Sequence, residues 1–184
     1  MNKTSSLPWH NFLVLALALA SATTYARNTR LLFPITEVTK SSRAQQIIGQ
    51  DMRLYFGESL PKEIGTPDII EEVSVKAVAN PVRSPGAKYN EEESDQRTCR
   101  EAFRMALSDL SQKSRNKGGD AVINIVSFYN SVEMSSPTEY ECHSGMTRSV
   151  VELKGRIVKL NPSAALHSGS QRLQSNAGEI MPRQ

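Results

Sequence analysis

The chain has 184 residues, with 22 Lys and Arg against 19 Asp and Glu and a net charge of +3. That length fits one domain with tails, and so small a charge gives no argument for nucleic acid as a partner. Two cysteines are too few for a zinc ribbon or a disulfide-dense scaffold, and ten glycines with nine prolines exclude a collagen-like or proline-rich chain.

The first residues read as an address. Met1 to Asn11 is polar, with Lys3 as its charged residue. Phe12 to Ala22 (FLVLALALASA) carries no charge, and Ala20-Ser21-Ala22 is an A-x-A cleavage signal. Thr24-Tyr25-Ala26 is a second, weaker one. This is the grammar of a secretory signal peptide, expected over residues 1–26. The apolar run is well short of the roughly 20 residues a spanning helix needs. No cysteine adjoins the cleavage site, which speaks against a lipid anchor. The mature chain is expected in the periplasm or outside the cell, with no stable membrane insertion.

Export bears on Cys99 and Cys142, the two cysteines of the mature chain. An oxidising compartment favours a disulfide between them. Closing so long a loop stabilises by roughly 4 kcal/mol in the chain-entropy model, before strain. A metal ligand and a reactive thiol at Cys142, beside His143, are the rival readings. Neighbours on a strand point to opposite faces, which places that pair poorly as nucleophile and base.

In chain order, residues 31–35 (LLFPI) suggest an edge strand, because proline is tolerated there. Residues 37–48 suggest a short helix that Ser41 or Ser42 could cap and Gly49 would end. Met52, Leu54 and Phe56 alternate with polar residues in a strand over 51–56, and Val73, Val75 and Ala77 do so over 68–80. Residues 81–89, with two prolines and a glycine, read as a loop.

The strongest element starts at Asn90. Asn90 with Glu93 is a capping-box pattern, and Glu91, Glu92 and Glu93 suit the positive end of a helix dipole. Cys99, Ala102, Phe103, Ala106, Leu107 and Leu110 form one apolar helical stripe, and Gly118-Gly119 stops it. Ala121 to Tyr129 is apolar on both faces, the mark of a central strand. Period two puts Val122, Val126 and Phe128 on one face and Ile123, Ile125 and Tyr129 on the other. Residues 138–143 alternate again, with Tyr140 and Cys142 on the inward face. Residues 148–160 form the last strand, with Val151, Leu153 and Ile157 inward and Gly155 marking a bulge. From Pro162 the periodicity ends, and 162–184 is expected to be a disordered tail.

The expected fold is α+β over residues 27–161: one long helix packed on a mainly antiparallel sheet, pinned by one disulfide. Phosphate-binding, C-x-x-C, H-E-x-x-H and G-x-S-x-G motifs are all missing from the sequence. Of the histidines, only His143 falls within the expected fold. It shares a strand face with Glu139 and Glu141, a set that could ligate a cation or hold a basic partner. The alternative is a solvated outer face. Asn124, polar on a central strand, reads as a structural amide bonded to backbone.

The segments Cys99-Arg100-Glu101-Ala102-Phe103, Gly118 to Ile125 (GGDAVINI) and Thr138 to Gly145 (TEYECHSG), with Tyr55-Phe56-Gly57, carry a resemblance. Over residues 27–160 the chain resembles a family of small exported proteobacterial proteins of unknown function. Many of those carry the label "excinuclease ATPase subunit". This sequence departs from that label: it has no phosphate-binding loop, no zinc-finger cysteines and an export signal. The helix, Gly-Gly turn and Asn-bearing strand are also similar, more distantly, to small α+β domains labelled heavy-metal binding. An outer-membrane stress-sensor lipoprotein is similar in its disulfide-tied, helix-on-sheet plan.

The expected function is that of an exported, non-enzymatic envelope module without a cofactor, binding an envelope protein or a small ligand. The alternative is metal- or thiol-dependent activity at Glu139, Glu141, Cys142 and His143.

Overall fold

A computed structural model describes residues 27–160, except 59, 61–63, 65, 83–85, 87 and 89. The expected leader and tail lie outside these residues, as does part of the expected loop over 81–89. Six strands and three α-helices follow one another: β1 (Thr29–Pro34), α1 (Ile35–Thr39), α2 (Ser42–Ile48), β2 (Arg53–Phe56), β3 (Asp68–Ala79), α3 (Glu91–Asn116), β4 (Ala121–Ser127), β5 (Glu139–Ser144) and β6 (Ser149–Lys159). A short 3-10 turn, Tyr129–Ser131, follows β4.

The fold is α+β, with α3 packed on one mixed sheet. The strands run β1-β5-β6-β4-β2, and β3 pairs β6 along its other side. Every pairing is antiparallel except β2 with β4. Strand β6 is the hub, bonded to β3, β4 and β5.

Helix α3 forms where its caps and apolar stripe place it. The Asn90 side chain accepts from the Glu93 N–H at 3.3 Å. The Glu93 carboxylate pairs with Arg97 one turn further along the helix. Cys99, Ala102, Phe103, Ala106, Leu107 and Leu110 are all fully buried against the sheet. At the far end Gly118 takes φ +75°, and a Cβ on Gly119 would stand 2.5 Å from Ile157. Two glycines in succession therefore both turn the chain and let it re-enter the sheet closely.

The disulfide Cys99–Cys142 joins α3 to β5, with a Cα–Cα separation of 5.9 Å and both residues fully buried. Beside it Tyr140 stacks on Phe103 with ring centroids 3.8 Å apart and planes within 3°. The main core lies between α3 and this face of the sheet. A smaller cluster of Ala121, Ile123 and Val158 lies apart from it.

Three expectations are corrected. The helix expected over 37–48 is two short helices, broken at Lys40-Ser41. Ser41 is extended (φ −70°, ψ 140°), and its Oγ accepts the Ala44 N–H, opening α2. Pro34 ends β1 and stands at the N-cap of α1, whose fixed φ suits both roles.

The second correction concerns β4. Val122 and Ile125 share the main core, and Ile123 lies in the smaller cluster, so strict alternation fails. The reason is Asn124, at φ +50°. Ile123 opposes Arg156 and Val126 opposes Lys154, so Asn124 and Ile125 together face Gly155 alone. Inserting one residue in this way reverses the parity beyond it. The third correction follows: the bulge belongs to β4, and Gly155 is its counterpart. β6 itself keeps regular register with β3 from Glu71 to Ala79.

Candidate functional site

Strand β5 sorts its residues cleanly. Tyr140 and Cys142 enter the core, while Glu141 and His143 face away from α3. Glu141 is only 8% exposed. Its Oε1 lies 2.6 Å from His143 Nε2, and Arg30 from the paired strand β1 grips both carboxylate oxygens, at 3.0 and 3.1 Å. The Glu141 N–H donates to Ser127 Oγ. Burial works to raise the Glu141 pKa, but the hydrogen bonds from Arg30 and His143 outweigh it and hold the carboxyl below the usual range.

The turn after β4 completes this cluster. Asn130 and Ser131 adopt positive φ, which turns the chain sharply after β4. Tyr129, at the start of this turn, stacks on His143 with centroids 3.4 Å apart and planes within 8°. Asn28 Oδ1 lies 3.1 Å from His143 Nδ1, and Asn28 Nδ2 donates to the Tyr129 hydroxyl. Both ring nitrogens and one ring face of His143 are therefore engaged within the protein. The ring is positioned for holding structure or flanking a ligand, and no nitrogen is left turned to a substrate.

Of the sequence-derived candidates, Glu141 and His143 meet, and Glu139 does not join them. Glu139 is exposed at the start of β5, opposite Pro34. Among the described residues, no group of three or more His, Cys, Asp or Glu side chains is arranged to hold a metal. The Cys142 sulfur is bonded to Cys99. Asn124 does bond backbone, donating from Nδ2 to the Glu58 carbonyl at 3.3 Å, but it does so from the bulge.

Among the described residues, two of the larger cavities flank the sheet. One, of about 670 Å³, opens beside His143 and Tyr129 and is walled by Lys76, Arg27 and Arg148. Its cations are largely answered: Lys76 pairs with Glu152 at 2.5 Å, and Arg27 pairs with Glu91 and Asp95.

The other, of about 790 Å³, lies between α1, α2 and β2. Ile35, Ile48, Met52, Leu54 and Phe56 form its apolar surface, and Thr36, Thr39, Ser42, Gln45, Gln46 and Gln50 supply hydroxyls and amides. Among the described residues that line it, none carries a titratable side chain. Sequence reasoning missed this cleft. Its signal was the uncharged run Ala44 to Gln50 (AQQIIGQ), in a chain that is 22% charged.

No family model matches the chain, and no curated protein or solved structure matches it either.

Proposed function

We propose that this is an exported, non-enzymatic binding module of the cell envelope, and that it holds a small neutral ligand in the cleft between α1, α2 and β2. The wall of that cleft carries the reading. Its size falls within the usual range of small-molecule sites, roughly 300–1,000 Å³. Its chemistry suits a ligand with an apolar body and hydroxyl or amide edges. The described wall offers no acid, base or thiol, which supports binding over proton transfer or nucleophilic attack.

Other observations agree with export. The buried Cys99–Cys142 bridge suits an oxidising compartment. The N-terminal sequence has the form of a cleavable signal. The resemblance to small exported proteobacterial proteins belongs to the same proposal. The rival activity at Glu139, Glu141, Cys142 and His143 has less support, since Glu141 and His143 satisfy each other and Cys142 is bridged.

The experiment is a titration with the neutral fluorophore N-phenyl-1-naphthylamine, coupled to fractionation of expressing cells. The chain is expected in the envelope fraction, enhancing the probe's emission. Thr36→Trp, an exposed position on the cleft wall, is expected to abolish the enhancement without lowering the melting temperature. Cytoplasmic retention, or probe binding indifferent to Thr36→Trp, would overturn the proposal.

A further inference from the structure

Strand β3 is twelve residues long and bonds β6 along one edge. Among the described residues nothing pairs its other edge. Long open edges invite pairing with another chain.

The ladder shows which residues face that edge. The Phe128 N–H donates to the Glu152 carbonyl at 2.9 Å, and the Asp120 N–H to the Val158 carbonyl at 3.1 Å. Even-numbered residues of β6 therefore turn their backbone groups toward β4. Direction alternates along an antiparallel strand. Val151, Leu153, Gly155 and Ile157 must then bond β3, through Ala77, Val75, Val73 and Glu71. Glu72, Ser74, Lys76 and Val78 turn their N–H and C=O groups to the open edge. An independent contact agrees on the direction: Lys113 Nζ donates to the Ser74 carbonyl at 2.9 Å, and this exposed lysine swings off that carbonyl when a second strand takes it.

We propose that this edge pairs antiparallel with the same edge of a second copy, about a two-fold axis at Ser74. Charge complementarity selects the occupant and the register. With Ser74 on the axis, Glu72 of each copy faces Lys76 of the other. Val78, exposed at 38%, and the bulged Ile70, exposed at 40%, lie toward the two rims. Registers centred on Glu72 or Lys76 put like charges face to face. A register centred on Val73 sets Lys76 against Ile70, and one centred on Val75 sets Glu72 against Val78. Unlike charges directly opposite stabilise a strand pair and like charges weaken it.

The charges already held within one copy extend the pattern. Glu152 pairs with Lys76, and Lys154 with Glu72. Across the joint, the order becomes Glu152, Lys76, Glu72, Lys154, alternating in sign over both sheets. The two helices α3 lie on one side of the joined sheet. The cleft beside β2 lies at the other end of the strand order, so the pairing leaves it open and does not depend on it.

The test is the mass of the purified full chain by light scattering over a concentration series, with three variants. A dimer is expected. Lys76→Glu should weaken it about tenfold or more, because the like pair recurs on both sides of the axis. Ser74→Pro should also give monomer, since the N–H it removes faces the open edge and the β6 ladder is untouched. Ser74→Cys should cross-link on oxidation while Cys99–Cys142 stays intact, because hydrogen-bonded pairs sit about 5.5 Å apart, within disulfide reach. A monomer at all concentrations would overturn the proposal. So would a dimer that Lys76→Glu leaves unchanged and Ser74→Cys fails to cross-link.

Discussion

A Cβ added to Gly155 would stand 2.9 Å from Val122 Cγ1 and 3.3 Å from Ile125 Cγ1. Those two residues both reach the core because the bulge at Asn124 turns Ile125 inward after Val122. Gly155 supplies the space beneath that turn. Gly155→Ala should overpack the site and cost about 1–3 kcal/mol. Thermal unfolding followed by circular dichroism would show a melting temperature several degrees lower. At Asn124 itself, φ +50° admits glycine readily and a β-branched residue poorly. Asn124→Gly should be mild and Asn124→Val severe, and equal effects would refute the bulge as the cause.

The disulfide should account for a large part of the stability. Cys99→Ala with Cys142→Ala frees a loop whose ends are 43 residues apart. The expected loss approaches about 4 kcal/mol by chain entropy. Urea unfolding of the double variant measures it, and reductant should shift the native chain toward the same midpoint. An unshifted midpoint would contradict the assignment.

Tyr140 is 1% exposed, and its hydroxyl has no hydrogen-bond partner among the described residues. Burial pushes that hydroxyl's pKa far above its ordinary value. Tyr140→Phe keeps the stack on Phe103 and removes a buried, unmatched polar atom. Stability should hold or rise by about 1 kcal/mol. Tyr140→Ala, by contrast, should cost about 3–5 kcal/mol through the cavity it leaves. Chemical denaturation of the pair of variants separates the two effects.

Acid should act through Glu141. Its carboxyl is held below the usual range, so the ionised form stabilises the fold. That contribution is complete above the ordinary glutamate value near 4.3 and is lost as pH falls through the lower folded value. The urea midpoint should therefore drop in that acid window. Glu141→Gln should flatten this part of the profile, whereas Glu139→Gln, at an exposed position, should leave it unchanged.

Much of the architecture was legible because its signals were local. The α3 stripe from Cys99 to Leu110, the Asn90 cap and the inward placement of Tyr140 and Cys142 all follow from period and polarity. The β4 faces were not legible, because one residue in a left-handed conformation resets the alternation and nothing in AVINIVS announces it. Glu141 and His143 were found by their spacing. Arg30, Asn28 and Tyr129, which complete their cluster, come from β1, the chain before it and the turn after β4, distant in sequence and brought together only by strand register. The cleft was missed for a related reason. Uncharged helix faces read as core until the second wall, β2, is placed.

Strand β6 joins everything and is the last strand of the described chain. Before it is made, β3 has no partner, and the β1–β5 and β2–β4 ribbons have no strand between them. A nascent chain leaving the ribosome thus cannot close its sheet until Lys159 has emerged. Folding is held back by the order of synthesis itself, so the earlier strands stay unjoined until nearly all of the described domain has been made.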